Sequence, residues 1–168
     1  MKNLETDVLL VGGGIMSATL GVLLQQIAPE LTITMVEQLS DVALESSDAL
    51  NNAGTGHAGY CELNYTPQDA EGKVAIQRAL EINAAFEISL QFWSHLVETA
   101  ALPDPSHFIT KTPHLSFVWG EKNTAFLKQR HALLKQHHLF EQMQFSDDFA
   151  QLQQWMPLIM ANRNNSEK

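Results

Sequence analysis

Residues 7–37, DVLLVGGGIMSATLGVLLQQIAPELTITMVE, decide the fold. The run Val8-Leu9-Leu10-Val11 offers apolar side chains to both faces, the pattern of a strand in a parallel sheet. Gly12, Gly13 and Gly14 end it. From Ile15, the residues Ala18, Thr19, Val22, Leu23 and Ile27 recur at helical spacing until Pro29, which disfavours helix in the residue before it. Leu31, Ile33 and Met35 then alternate with Thr32 and Thr34, and Glu37 stands where that second strand ends. Strand, glycine turn, helix and strand make a βαβ unit. Its right-handed crossover puts the glycine loop at the carboxyl end of a parallel sheet.

Gly12, Gly14 and Ser17 take the small-residue positions of G-x-G-x-x-G, with Gly13 between the first two and serine in the last place. A bare match of this kind is weak. Its context is what counts: a strand before, a helix after, and an acidic residue, Glu37, 25 positions beyond Gly12. Gly12 permits the tight turn, Gly14 lets the backbone approach a pyrophosphate, and the helix N-terminus offers N–H groups and partial positive charge. Glu37 is suited to accept hydrogen bonds from a ribose hydroxyl. Its charge disfavours a 2′-phosphate, so NADPH is expected to bind no better than background. The competing reading is a glycine-rich turn that only packs helix on sheet.

Composition narrows the function classes. The chain has 168 residues, about the length of one domain on a rough guide of about 150. Its 45% hydrophobic and 17% charged residues are those of a globular chain. Ten Lys and Arg against nineteen Asp and Glu give a net charge of −9, which argues against nucleic acid and anionic membrane surfaces as partners. One cysteine, Cys61, requires no oxidising compartment. Residues 8–29 carry no charge, yet neither a signal peptide nor a membrane span fits them. Glu5 and Asp7 offset Lys2, the glycines interrupt the run, and Gln25 and Gln26 shorten it.

Beyond the βαβ unit the pattern is mixed. Residues 40–68 lack lasting periodicity. Residues 73–101 read as a long amphipathic helix whose Phe86, Leu90, Trp93 and Val97 share a face, broken by Pro103-Asp104-Pro105. Leu115-Ser116-Phe117-Val118-Trp119 alternates like a strand closed by Gly120, and residues 123–137 return to helical spacing. A short strand over residues 140–145 and a helix opening at Ser146, with Asp147 and Asp148 at its positive end, complete the reading.

The loop of residues 46–59 is the second candidate site. Ser46, Ser47, Asn51, Asn52, Thr55 and His57 suit the polar edge of a flavin or a substrate, and Gly54 and Gly56 allow close backbone approach. A surface turn with self-capped Asn side chains fits the same composition equally well. The seven histidines show no metal-ligand spacing, so no metal is expected. His57 and His114 are candidates for acid/base chemistry because each sits in or beside an unusual loop. Arg78 and Arg130 suit a carboxylate clamp, against the usual fate of a helical Arg as solvated surface.

Five strings together carry a family resemblance: GGGIMSATLG (12–21), ESSDALNNAGTGHAG (45–59), CELNYTP (61–67), FEISLQFW (86–93) and PHLSFVWG (113–120). They resemble the N-terminal portion of the malate:quinone oxidoreductases, FAD-dependent malate dehydrogenases of the tricarboxylic acid cycle. The resemblance implies an α/β, Rossmann-like FAD-binding fold, here incomplete, with additional helices and strands. It further implies (S)-malate and a quinone as partners, FAD as cofactor, and a cytoplasmic position peripheral to the inner face of the bacterial membrane. Cofactor contacts are then expected from Gly12, Gly13, Gly14, Ser17, Glu37, Ser46, Ser47, Asn52, Gly54 and Thr55. A related FAD-dependent amino-acid oxidase and a non-catalytic nucleotide-binding remnant are the alternatives. The family's later Gly-Asp segment has no counterpart here, since the chain contains no Gly-Asp pair. Residues 1–161 accordingly read as a partial FAD-binding domain with the start of substrate-domain elements. Residues 162–168 read as a frayed polar tail that leaves the family pattern, and the chain by itself is expected to be inactive.

Overall fold

The computed structural model describes residues 5–56 and 62–164, which belong to two compact units, Met1–Thr55 and Gly56–Lys168. In the first, strand β1 (Val8–Val11), helix α1 (Ile15–Ile27) and strand β2 (Ile33–Val36) follow in order. The strands pair in parallel, with Val8, Leu9, Leu10 and Val11 opposite Ile33, Thr34, Met35 and Val36. The unit is therefore the α/β, Rossmann-like arrangement expected. Asp7 fixes the start of the pair: its Oδ2 accepts from the Thr32 backbone N–H at 2.8 Å and the Thr32 hydroxyl at 2.7 Å. At the other end the Gly12 N–H donates to the Val36 carbonyl at 2.8 Å, tying the glycine loop to the end of β2.

Helix α1 lies on one face of this sheet, and Gly21 is the reason it comes so close. A Cβ there would stand 3.1 Å from Leu10 Cδ1, tighter than ordinary van der Waals contact. Leu10 is buried under the helix, whereas Leu9 is 55% and Val11 78% exposed. The expectation that β1 is buried on both faces is thus corrected. Alternate residues of a strand face opposite sides, and only the Leu10 side is covered among the described residues.

The second unit is mostly helical, with α2 (Gln77–Glu98), α3 (Glu121–Leu134) and α4 (Phe149–Trp155). Its core brings Ala79 of α2, Leu134 of α3 and Phe140 together, with Tyr65, Ile76, Leu80 and Met143 packed around them. Phe86, Leu90, Trp93 and Val97 are half-buried, and Trp93 meets Phe86 and Phe108 edge to face. Helix α4 begins as the acidic residues suggest, with the Asp148 carboxylate accepting from the Gln151 N–H at 2.8 Å.

Two expected strands do not form. Residues 115–119 are irregular, with Leu115, Phe117 and Trp119 exposed and Ser116 and Val118 half-buried. Their alternation is strand-like, but a strand needs a neighbour to take its backbone hydrogen bonds, and none lies beside it among the described residues. In residues 140–145, Phe140 closes a short 3-10 turn, His138–Phe140, and anchors the core instead. No helix of the described residues is long and apolar enough to cross a membrane.

Candidate nucleotide-binding cleft

The first unit holds a cleft of about 250 Å³ at the carboxyl end of β1. Its wall runs from Val11 through Gly12, Gly13 and Gly14 to Ser17, and closes with Glu37, Ser46 and Ser47. Seven of the residues expected to hold a nucleotide therefore meet in one place. Gly12 has φ +93°, a conformation L side chains rarely adopt, and a Cβ there would meet nothing within 4 Å. Glycine is required at this position by backbone conformation, not by crowding.

Glu37 is placed by two backbone donors. Its Oε2 accepts from the Gly13 N–H at 2.6 Å and its Oε1 from the Leu39 N–H at 2.9 Å. The Leu39 and Gly13 bonds hold the carboxyl below the ordinary glutamate range, so it stands as an ionised acceptor. A carboxylate has about four lone-pair sites, so two N–H bonds leave it able to accept from a further hydroxyl. The spacing of the motif predicts an acid at this position; it does not reveal that Leu39 shares in holding it.

Helix α1 starts at Gly14 without a side-chain cap from its own first turn. Ser47 supplies one from the following loop, its hydroxyl accepting from the Ile15 N–H at 2.9 Å. The N–H groups of Gly14, Met16 and Ser17 have no acceptor among the described residues. An open helix start of this kind carries partial positive charge and suits a phosphate. A Cβ on Gly14 would stand 3.2 Å from the Ser47 hydroxyl, on the side where the loop meets the helix.

The rest of the loop is held by its own polar side chains. The Asn51 amide donates to the Glu45 carbonyl and the Asn52 amide to the Ser46 carbonyl, each at 3.1 Å, while Asn52 Oδ1 accepts from the Gly54 N–H at 2.8 Å. This is the geometry of a self-capped turn. Asn52, Gly54 and Thr55 are exposed and do not line the cleft. His57 and Cys61 lie outside the described residues. His114 belongs to the second unit, its Nε2 3.2 Å from the Ser116 hydroxyl.

The two arginines differ: Arg78 is exposed, and Arg130 is buried. The Arg78 guanidinium lies 5.3 Å from the centre of the Tyr65 ring. Arg130 is only 1% exposed, and its Nε donates to the buried Thr66 hydroxyl at 2.8 Å. Helical spacing around Arg130 gives no sign of that burial, since it is set by Thr66, 64 positions away.

Fold and cleft together define a Rossmann-like α/β protein with a partial dinucleotide-binding unit. A profile of the malate:quinone oxidoreductase (Mqo) family matches residues 4–168, and the chain belongs to that family. It is 68% identical over 165 residues to a probable malate:quinone oxidoreductase of Methylobacillus flagellatus, covering 98% of this chain and 34% of that protein. Against probable malate:quinone oxidoreductases of Tolumonas auensis and Hahella chejuensis the identities are 62% over 169 residues and 61% over 164. Those alignments cover 100% and 98% of this chain, and 34% and 33% of the relatives. The chain thus spans about a third of the length of these relatives. The profile runs through residues 162–168, which corrects the expectation that this end departs from the family pattern.

Proposed function

We propose that this chain supplies the adenosine-diphosphate end of the FAD site in a protein that oxidises (S)-malate to oxaloacetate with a quinone as acceptor. The observation that carries the reading is the cleft itself: an open helix start, a positive-φ glycine and a pre-placed, ionised Glu37 converge at the carboxyl end of β1. Gly12, Gly13, Gly14 and Ser17 would hold the pyrophosphate by their backbone, and Glu37 would take a ribose hydroxyl. Ser46 and Ser47 border the same space. The residues fit the group because the free N–H donors and the remaining acceptor capacity of Glu37 match a phosphate and a sugar. FAD, when bound, supplies the hydride acceptor for malate oxidation.

Family membership favours FAD over NAD, a choice that the glycine motif leaves open. It likewise favours a position peripheral to the inner face of the bacterial membrane. His57 and His114 remain candidates for the base that takes the malate hydroxyl proton. Orienting reactants is worth about 7–11 kcal/mol of barrier, and a chain a third the length of its relatives has few elements with which to hold malate. The test is malate-dependent reduction of a quinone-linked dye. A protein of the relatives' full length carrying this sequence should turn over, and the 168-residue chain with excess FAD should not. Turnover by the chain alone near the level of a full-length relative contradicts the reading of this chain as one part of the site.

A further inference from the structure

The cleft is bordered by a side chain that its reading as a nucleotide site does not use. Met16, the second residue of α1, lines it and is 80% exposed. Side chains on a helix tilt toward its N-terminus, which brings the Met16 thioether back over the open helix start. The N–H groups of Gly14, Met16 and Ser17 there have no acceptor among the described residues. The other described methionines are better covered: Met35 is 38% exposed, Met143 and Met160 are half-buried, and Met156 is buried.

A thioether in this position is open to oxidants, and its oxidation has a consequence. Its flexible, apolar chain makes only weak demands on the N–H groups around it, and so leaves them to a phosphate. Oxygen transfer from a peroxide changes that. A sulfur lone pair attacks a peroxide oxygen, the O–O bond breaks and an S–O bond forms. Thioether and hydrogen peroxide give sulfoxide and water, with two electrons passing from sulfur to the peroxide. The new oxygen is a polar hydrogen-bond acceptor with partial negative charge. Beside the helix start it competes for the same N–H groups and repels the phosphate they would otherwise hold.

We propose that Met16 is a reversible oxidation site whose sulfoxide weakens binding of an adenosine diphosphate in the cleft. This rests on the reading of the cleft as a nucleotide site and adds a means of regulating it. Losing one hydrogen bond to a charged group corresponds to about a tenfold or greater drop in affinity. A bound pyrophosphate in turn shields the sulfur, so nucleotide and peroxide oppose each other.

The experiment uses the 168-residue chain, ADP as the probe and hydrogen peroxide as the oxidant. Peptide mass spectrometry follows the gain of oxygen at each methionine. Met16 should oxidise faster than Met35, and saturating ADP should slow oxidation of Met16 alone. Calorimetry should show ADP binding about tenfold weaker after oxidation, with affinity restored by the two methionine sulfoxide reductases that act on the two sulfoxide epimers. Met35→Leu should keep the full response to peroxide. In Met16→Leu, whatever its starting affinity, peroxide should leave ADP binding where it was. Hydrogen-exchange protection at the Leu10 and Gly12 amides should be the same before and after oxidation. ADP binding that survives complete oxidation of Met16 overturns the proposal and leaves the cleft reading standing. So does a peroxide effect that persists in Met16→Leu, or a loss of protection at Leu10 and Gly12, since binding is then lost through another residue or through unfolding. No ADP binding by the untreated chain overturns the cleft reading, and the proposal with it.

Discussion

Gly13→Ala tests how tightly the glycine loop is built. Gly13 is buried, its N–H donates to Glu37 at 2.6 Å and its carbonyl accepts from the Ala43 N–H at 3.1 Å. An added Cβ would stand 2.9 Å from Val42 Cγ1, 3.3 Å from Val42 Cβ and 3.1 Å from Glu37 Oε2. The first distance forces a shift. Overpacking typically costs about 1–3 kcal/mol. Val42 is 54% exposed and its segment can yield, which puts the cost in the lower half, about 1–2 kcal/mol. That is a factor of about 5–30 in an opening equilibrium. Tryptophan fluorescence is the wrong probe, because Trp93, Trp119 and Trp155 all belong to the second unit. Native-state hydrogen exchange at the Leu10 and Gly12 amides reads the first unit directly, and should be about 5–30 times faster in the variant. Val42→Ala removes the atom in the way, so the double variant should recover most of the loss. Exchange in Gly13→Ala within twofold of the parent, or no recovery in the double variant, would refute the reasoning.

Other substitutions probe the second unit. Asn83 on α2 is fully buried, and neither its amide nitrogen nor its oxygen has a hydrogen-bond partner among the described residues. Asn83→Leu should therefore raise stability by about 1–2 kcal/mol, read as a higher urea midpoint by tryptophan fluorescence; a lower midpoint contradicts this. Thr66→Val keeps shape but deprives Arg130 Nε of its buried acceptor, and should cost about 1–3 kcal/mol by the same measurement. Acid should loosen the first unit in a defined direction. Glu37 is held low by the Leu39 and Gly13 N–H groups, and Asp7 by the Thr32 hydroxyl and N–H. Their contributions are complete above the ordinary carboxylate range near pH 4 and are lost as pH falls from there through the lowered values. Exchange protection at Val8 and Gly12, corrected for intrinsic rates, should fall across that window, and less so in Glu37→Gln. Protection that rises on acidification contradicts the assignment.

The βαβ unit was legible because every local signal agreed: an apolar run, three glycines, a helical period ending before Pro29, and an acid after the second strand. Helix α4 was legible through its acidic cap. The strand expected over residues 115–119 failed for a tertiary reason. Leu115, Phe117 and Trp119 keep the alternation, but alternation becomes a strand only when a neighbour takes its hydrogen bonds. Residues 140–145 misled because a short apolar run does not say whether Phe140 faces a sheet or fills a helical core. At the cleft, the motif identified Gly12, Gly14, Ser17 and Glu37. Ser47 was named for its polarity, whereas its contact with Ile15, 32 positions away, depends on how the loop folds back. Arg130, a candidate for a carboxylate clamp on residue type, is buried against Thr66, and burial by a distant partner leaves no mark in local periodicity.

The central claim is that the cleft at the end of β1 grips the adenosine-diphosphate end of FAD. Flavin content of a full-length protein carrying this sequence, with and without Gly14→Val, tests it most directly. A valine at this position projects toward Ser47 at the start of α1, where the proposed function puts the pyrophosphate. The account predicts near-stoichiometric flavin absorbance in the parent and little or none in a variant that remains folded by circular dichroism. Equal flavin in the two, or tight NADPH binding with no flavin in the parent, would contradict it.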